Sequence, residues 1–162
     1  MKTYIDAVTR LSTALAVLAA AMLVIGMMTV VYMIVSRAFG NPSYWEIEFS
    51  IYLIVASVFL GSPYCLATHG HVSVDLLTAF LPPRASRVAG FLAAVIGLAA
   101  CAYLAWIGWE LTWDSLVSGE RSESLWRPLK WPLYACMPVG FGVTVLQYLA
   151  QLMQLVSGKT VP

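Results

Sequence analysis

The ionisable side chains of this chain all lie outside, or at the very ends of, four long apolar runs at residues 11–35, 49–68, 88–111 and 132–156. Each run is close to the ~20 residues that a helix needs to cross ~30 Å of hydrocarbon. A backbone in lipid must satisfy its own hydrogen bonds, which leaves helices or a closed barrel, and no barrel-like alternation is present. Composition agrees: 60% of the residues are hydrophobic and 10% charged, whereas a soluble domain carries about 25% charged. The reading is an all-α integral membrane protein. Four spans use most of the 162 residues, so residues 1–162 are read as one membrane domain.

The first run follows Lys2 and Arg10 and contains Ala19, Ala20 and Ala21, as a secretory signal would. It continues unbroken to Val35, well past the roughly 7–15 residues of a cleaved apolar core, and is expected to remain as the first span. A net charge of +1 supplies no basic block for phosphates, which argues against a nucleic-acid partner. Cys65, Cys101 and Cys136 are far apart and form no CxxC pair, so each reads as a small buried hydrophobe.

Gly40 and Pro42 end the first span in a short turn over 39–43. The second span begins at Tyr44 and Trp45, aromatics suited to headgroup depth, with Glu46 and Glu48 in its first turn, where the helix dipole favours acids. Gly61, Ser62 and Pro63 predict a kink near its far end. Beyond it, Val72, Leu76, Ala79 and Phe80, with Leu77 and Leu81, gather on one side of a helical wheel, opposite Ser73, Asp75 and Thr78. That pattern predicts a short amphipathic helix over about 72–81, lying in the membrane interface and stopped by Pro82 and Pro83.

The third span carries small residues at helical spacing, Gly90, Ala94, Gly97 and Cys101, a face that another helix can approach closely in lipid. Trp106, Trp109 and Trp113 mark its exit, and Trp126 and Trp131 mark the chain's return. Between them, a charged connection holds Glu120, Arg121, Glu123, Arg127 and Lys130. On the fourth span, Gln147, Gln151 and Gln154 form a polar stripe expected on a partner-facing or interfacial side.

Ion-coupled carriers place an ionisable group deep in a span, and here no aspartate, glutamate, lysine, arginine or histidine lies near a span centre. His69 and His71 sit at a helix end and in a connection, unsuited to axial haem ligation. Cys65, His69, His71 and Asp75 have the residue types of a metal site. Capping and anchoring of the interfacial helix by His71 and Asp75 account for that cluster without a metal. Glu46 and Glu48 read either as acids solvated at the headgroups or as contacts to a partner protein. The connection at 120–130 reads either as a solvated loop or as a docking rim.

No catalytic residue and no cofactor are expected in this chain, which is read as no enzyme. With a cytoplasmic N-terminus, five basic residues face inside (Lys2, Arg10, Arg84, Arg87, Lys159) and four outside (Arg37, Arg121, Arg127, Lys130). The positive-inside rule therefore favours cytoplasmic termini by one residue. Three functions fit: a scaffold subunit, the membrane anchor of a respiratory or redox complex, and an autonomous channel or carrier.

Several short motifs, taken in order, resemble those of a known family. They are Trp45-x-x-Glu48-Phe49, Phe59-Leu60-Gly61-Ser62, and the run Gly70-His71-Val72-Ser73-Val74-Asp75-Leu76-Leu77. Leu81-Pro82, Ser124-Leu125, Pro132-x-Tyr134 and Met137-Pro138-x-Gly140-Phe141 follow. Together they resemble the small membrane subunit of tripartite ATP-independent periplasmic (TRAP) transporters, over about residues 45–141 and including the four-span layout. One departure is that Ile47 separates Glu46 from Glu48 where the family often has adjacent acids, which leaves open which glutamate takes the family role.

The resemblance implies import of organic anions, commonly carboxylates, into bacteria on a sodium gradient. It implies two protein partners. A soluble periplasmic substrate-binding protein captures the substrate. A large membrane transport subunit holds substrate and sodium and moves by an elevator-like displacement. The small subunit then sits in lipid as the fixed scaffold, in the inner membrane, with both termini cytoplasmic and residues 120–130 facing the periplasmic binding protein.

Overall fold

Each apolar run becomes the middle of a helix that outruns it at one end or both. The computed structural model describes residues 2–41, 43–68 and 83–156, which form α1 (Lys2–Ala38), α2 (Glu46–Ala67), α3 (Pro83–Ser118) and α4 (Trp131–Val156). All four are long and apolar enough to cross a membrane, as the sequence predicts. The interfacial helix expected over 72–81 lies outside the described residues.

The helix ends follow local chemistry rather than the edge of the apolar run. α1 begins at Lys2 rather than near residue 11. Lys2, Asp6 and Arg10 alternate in charge at i, i+4 spacing, and no glycine or proline precedes Gly26. α3 continues past residue 111 to Ser118, where Gly119, at φ +64°, supplies the left-handed residue that ends a helix. At 37 and 36 residues, α1 and α3 are each about 55 Å long. That is nearly twice the hydrocarbon thickness, so they must tilt or reach beyond it.

α1 packs on α2, α2 on α4 and α4 on α3, with a lighter contact between α1 and α4. Among the described residues α3 meets neither α1 nor α2. The helices therefore form an open row, α1–α2–α4–α3, made of two hairpins joined mainly through α2 and α4.

In the first hairpin the buried stripe of α1 is Val8, Ser12, Ala19 and Gly26. Ser12, Ala19 and Gly26 are seven apart, the repeat that keeps a seam facing a left-handed partner. A Cβ on Gly26 would stand 3.5 Å from Leu53 and Ile54, and the Ser50 hydroxyl donates to the Gly26 carbonyl at 3.3 Å.

The junction between hairpins starts from Pro63, which is fully buried inside α2. A proline has no N–H for the carbonyl four residues earlier, that of Phe59. The Ser62 hydroxyl donates to that oxygen instead, at 2.9 Å. Gly140 of α4 lies directly against the same Phe59 carbonyl, so any Cβ there would collide with backbone. Ser62 and Thr144 then share a hydrogen bond of 3.1 Å between the two helices, and Phe59 meets Phe141 edge to face at 5.6 Å.

In the second hairpin Gly97 faces Tyr148 and Gly108 faces Met137 and Pro138. Ala94 is buried and Cys101 half-buried. Among the described residues, a Cβ on Gly90 would meet nothing.

Gly140→Val is expected to destabilise the purified protein by about 1–3 kcal/mol, because backbone on both sides must shift. Gly142→Ala, at a site where a Cβ meets nothing, is the control. A thermal unfolding scan in detergent checks this; equal midpoints for the two variants would refute the close crossing.

Candidate functional site: the rim between α3 and α4

The connection after α3 is folded. Its two arms close at an isolated antiparallel bridge between Arg121 and Leu129. Ser122 N–H donates to Pro128 O at 2.9 Å and Lys130 N–H to Glu120 O at 3.1 Å. The Lys130 ammonium pairs with Glu120 at 2.7 Å. Arg127 takes a left-handed backbone, φ +48°, which costs a non-glycine residue about 1–2 kcal/mol. Its N–H donates to both the carbonyl and the hydroxyl oxygen of Ser124, each at 3.2 Å, which offsets that cost.

Three contacts tie this rim to the start of α2. The Ser124 hydroxyl donates to the Glu48 carboxylate. The Tyr52 hydroxyl donates to the Leu129 carbonyl at 3.2 Å. Trp126 lies edge-on to Trp45 and Phe49, with ring centres 6.4 Å from each. Arg121, Glu123, Leu125 and Arg127 are left exposed on top. The Glu120 carboxylate beside Lys130 raises the lysine above its ordinary 10.5, so Lys130 is a cation throughout the physiological range.

The two first-turn acids of α2 part company. Glu48 is half-buried and serves the rim, whereas Glu46 is fully buried. One Glu46 oxygen accepts from the Ser43 hydroxyl, and the other is buried with no hydrogen-bond partner among the described residues. Glu46 is thus not the headgroup-solvated acid that its position in the sequence suggests. Residues two apart on a helix point about 200° apart, and the Ser43 hydroxyl, just before the helix, holds the nearer acid in. Ile47, between them, is exposed.

The remaining candidates are structural where they are described. Trp45 caps the aromatic cluster, Gly61 faces Ala19 across the first hairpin, and Ser62, Pro138 and Gly140 lie in the α2–α4 and α3–α4 contacts. Gly70, His71, Asp75 and Pro82 lie outside the described residues, as do His69 and therefore most of the Cys65 cluster; Cys65 itself is exposed. Gln147 and Gln151 turn inward instead of toward an outer face, each with an enclosed carbonyl oxygen lacking a described partner. An amide facing lipid costs more than one facing other polar atoms. Sequence reasoning gave no contact to Ser43, Tyr52, Thr144 or Ser124, the last of which entered only through a family motif. The three-residue spacing from serine to acid could have found Ser43, but nothing local links Ser124 to Glu48.

The family model described as "Tripartite ATP-independent periplasmic transporters, DctQ component" matches residues 26–158. The chain belongs to this family. It is also similar to the C4-dicarboxylate TRAP transporter small permease protein DctQ of Vibrio cholerae serotype O1, with 24% identity over 157 residues. That match covers 82% of this chain and 66% of the relative, so the chain spans slightly less than two thirds of the relative's length. The family is a transporter component rather than an enzyme, and four apolar helices place its member here among multi-pass membrane proteins.

Removing the Glu48 or Ser124 side-chain group (Glu48→Gln, Ser124→Ala) is expected to speed amide exchange at Ser122 and Lys130 roughly tenfold or more. The double variant should be no worse than the worse single one. Hydrogen exchange of the detergent-solubilised protein reads both. A pKa raised on folding stabilises below the ordinary value and is lost as pH climbs through the folded one. The Glu120–Lys130 link should therefore persist from pH 7 upward and fade only above 10.5.

Proposed function

We propose that this chain is the small membrane subunit of a sodium-coupled, binding-protein-dependent secondary transporter that imports organic anions, of the carboxylate class, in a bacterial inner membrane. Its role is the fixed scaffold against which a large transport subunit moves. Sodium and substrate belong to that large subunit. The supporting observation is the α2–α4 crossing. Gly140 rests on the Phe59 carbonyl with no room for a Cβ, so a slide of one residue would bring a side chain into backbone. A helix row locked this way suits a stationary part.

With both termini cytoplasmic, the rim faces the periplasm. Arg121 and Arg127, exposed on a connection already folded and pinned to α2, then offer positive charge to an approaching binding protein. Pre-ordering lowers the entropy lost on docking, and rim charges act mainly on the rate of encounter.

Arg121→Ala combined with Arg127→Gly is the informative variant, because glycine accepts φ +48° without strain and only charge is lost. In proteoliposomes holding the complete membrane complex, the binding-protein concentration for half-maximal uptake is expected to rise roughly tenfold. The difference from wild type should shrink in high salt. Unchanged uptake at every binding-protein concentration would remove the docking role. Uptake by this chain reconstituted without a large subunit would remove the scaffold role.

A further inference from the structure

Among the described residues, α3 has neighbours on one side only. Its inner side, with Gly97 and Gly108, meets α4. Its outer side carries Leu92, Ile96, Tyr103, Trp106, Glu110 and Trp113, all exposed and spaced by three, four or seven residues, as one helix face requires. The outward side of α1 is different. Val17, Val24, Met28 and Val31 are exposed there, and lipid chains are sufficient company for them. The α3 face includes a carboxylate, and the Trp106 indole N–H donates to it at 2.9 Å.

The register of the second hairpin sets the depth of that pair. Gly97 meets Tyr148 and Gly108 meets Met137 and Pro138, so α3 and α4 run in opposite directions. Glu110 is then level with the stretch from Tyr134 to Cys136, roughly 6 Å deeper than Trp131. Trp106 is roughly 6 Å deeper again. A carboxylate set among Trp106, Trp109 and Trp113, deeper than Trp131 and facing away from its own protein, calls for a positive partner. The one ion pair among the described residues is Lys130 with Glu120. A second copy of the chain offers no match, because all nine of its lysines and arginines lie outside the four apolar runs.

We infer that the outer face of α3 seats a transmembrane helix of the large subunit, and that this helix presents a basic side chain to Glu110. The inference rests on the small-subunit reading above and adds which face meets the partner and by what charge. Trp106 holds the carboxylate toward the seat. Leu92, Ile96 and Tyr103 supply apolar contact below it.

The test co-expresses the full-length chain with the large subunit of the same transporter. A photo-crosslinking phenylalanine derivative replaces Tyr103 or, as the lipid-facing control, Met28. Tyr103 is expected to give an adduct with the large subunit and Met28 none. Glu110→Gln should lower the large subunit recovered per small subunit in detergent about tenfold, with the cross-link from Tyr103 weakened in step. An adduct from Met28 alone, a Tyr103 adduct joining two copies of this chain, labelling of lipid only at Tyr103, or full recovery with Glu110→Gln would each overturn the assignment. A wild-type chain that recovers no large subunit would defeat the small-subunit reading itself, a result distinct from co-purification without the Tyr103 adduct.

Discussion

The architecture turns on one carbonyl oxygen. Pro63 withholds the N–H that would have occupied Phe59 O, and what that oxygen meets instead sets the arrangement of the four helices. Ser62 donates to it from within the helix, and Gly140 comes to rest on it from the neighbouring helix. In lipid no hydrophobic effect pulls helices together, so association depends on close approach and on hydrogen bonds between hydroxyls and backbone. The α2–α4 crossing has both; beside it, among the described residues, the lighter α1–α4 contact and the rim's contacts to α2 join the two hairpins.

From that crossing the rim follows. Once Phe59 and Gly140 are fixed, the start of α2 is level with the residues just before α4. Glu48 then falls beside Ser124, Tyr52 beside Leu129, and Trp45 and Phe49 beside Trp126. None of these contacts needs a long closure, because Gly119 turns the chain and the Arg121–Leu129 bridge folds it back. The strain at Arg127 fits the same account, since its left-handed turn delivers the Ser124 hydroxyl to the α2 carboxylate. A mid-membrane contact of backbone on backbone thus organises a polar surface at the end of the row.

The spans were legible because the bilayer sets their length and composition, and the helical ends were less so because a helix does not stop at the edge of lipid. Lys2, Asp6 and Arg10 look like a polar leader yet form the first turns of α1. The packing face of α3 could be read from Ala94, Gly97 and Cys101, small residues at helical spacing that include a glycine. The seven-residue repeat Ser12, Ala19, Gly26 was equally present but is masked by Ala14, Ala16, Ala20 and Ala21, which are small and face elsewhere. At the candidate site, residue types and location were readable and directions were not. Glu46 and Glu48 look equivalent in the sequence, and only the partner 76 residues away separates a pinned acid from an enclosed one.

The distribution of polar groups bears on what kind of machine part such a chain can be. Within the spans the inter-helix hydrogen bonds join hydroxyls to hydroxyls or to backbone carbonyls, as between Ser62 and Thr144 or Ser50 and Gly26. Neutral pairs of this kind neither titrate nor demand a counter-ion, so they hold their geometry whatever passes nearby. Glu48 and Glu120 are instead at the end where the rim lies, each engaged by a hydroxyl or an ammonium. A site that binds and releases a charged solute must do the opposite, keeping charge where the solute goes. Neutral hydroxyl contacts in the middle and charges held at one end fit the scaffold role proposed for this chain.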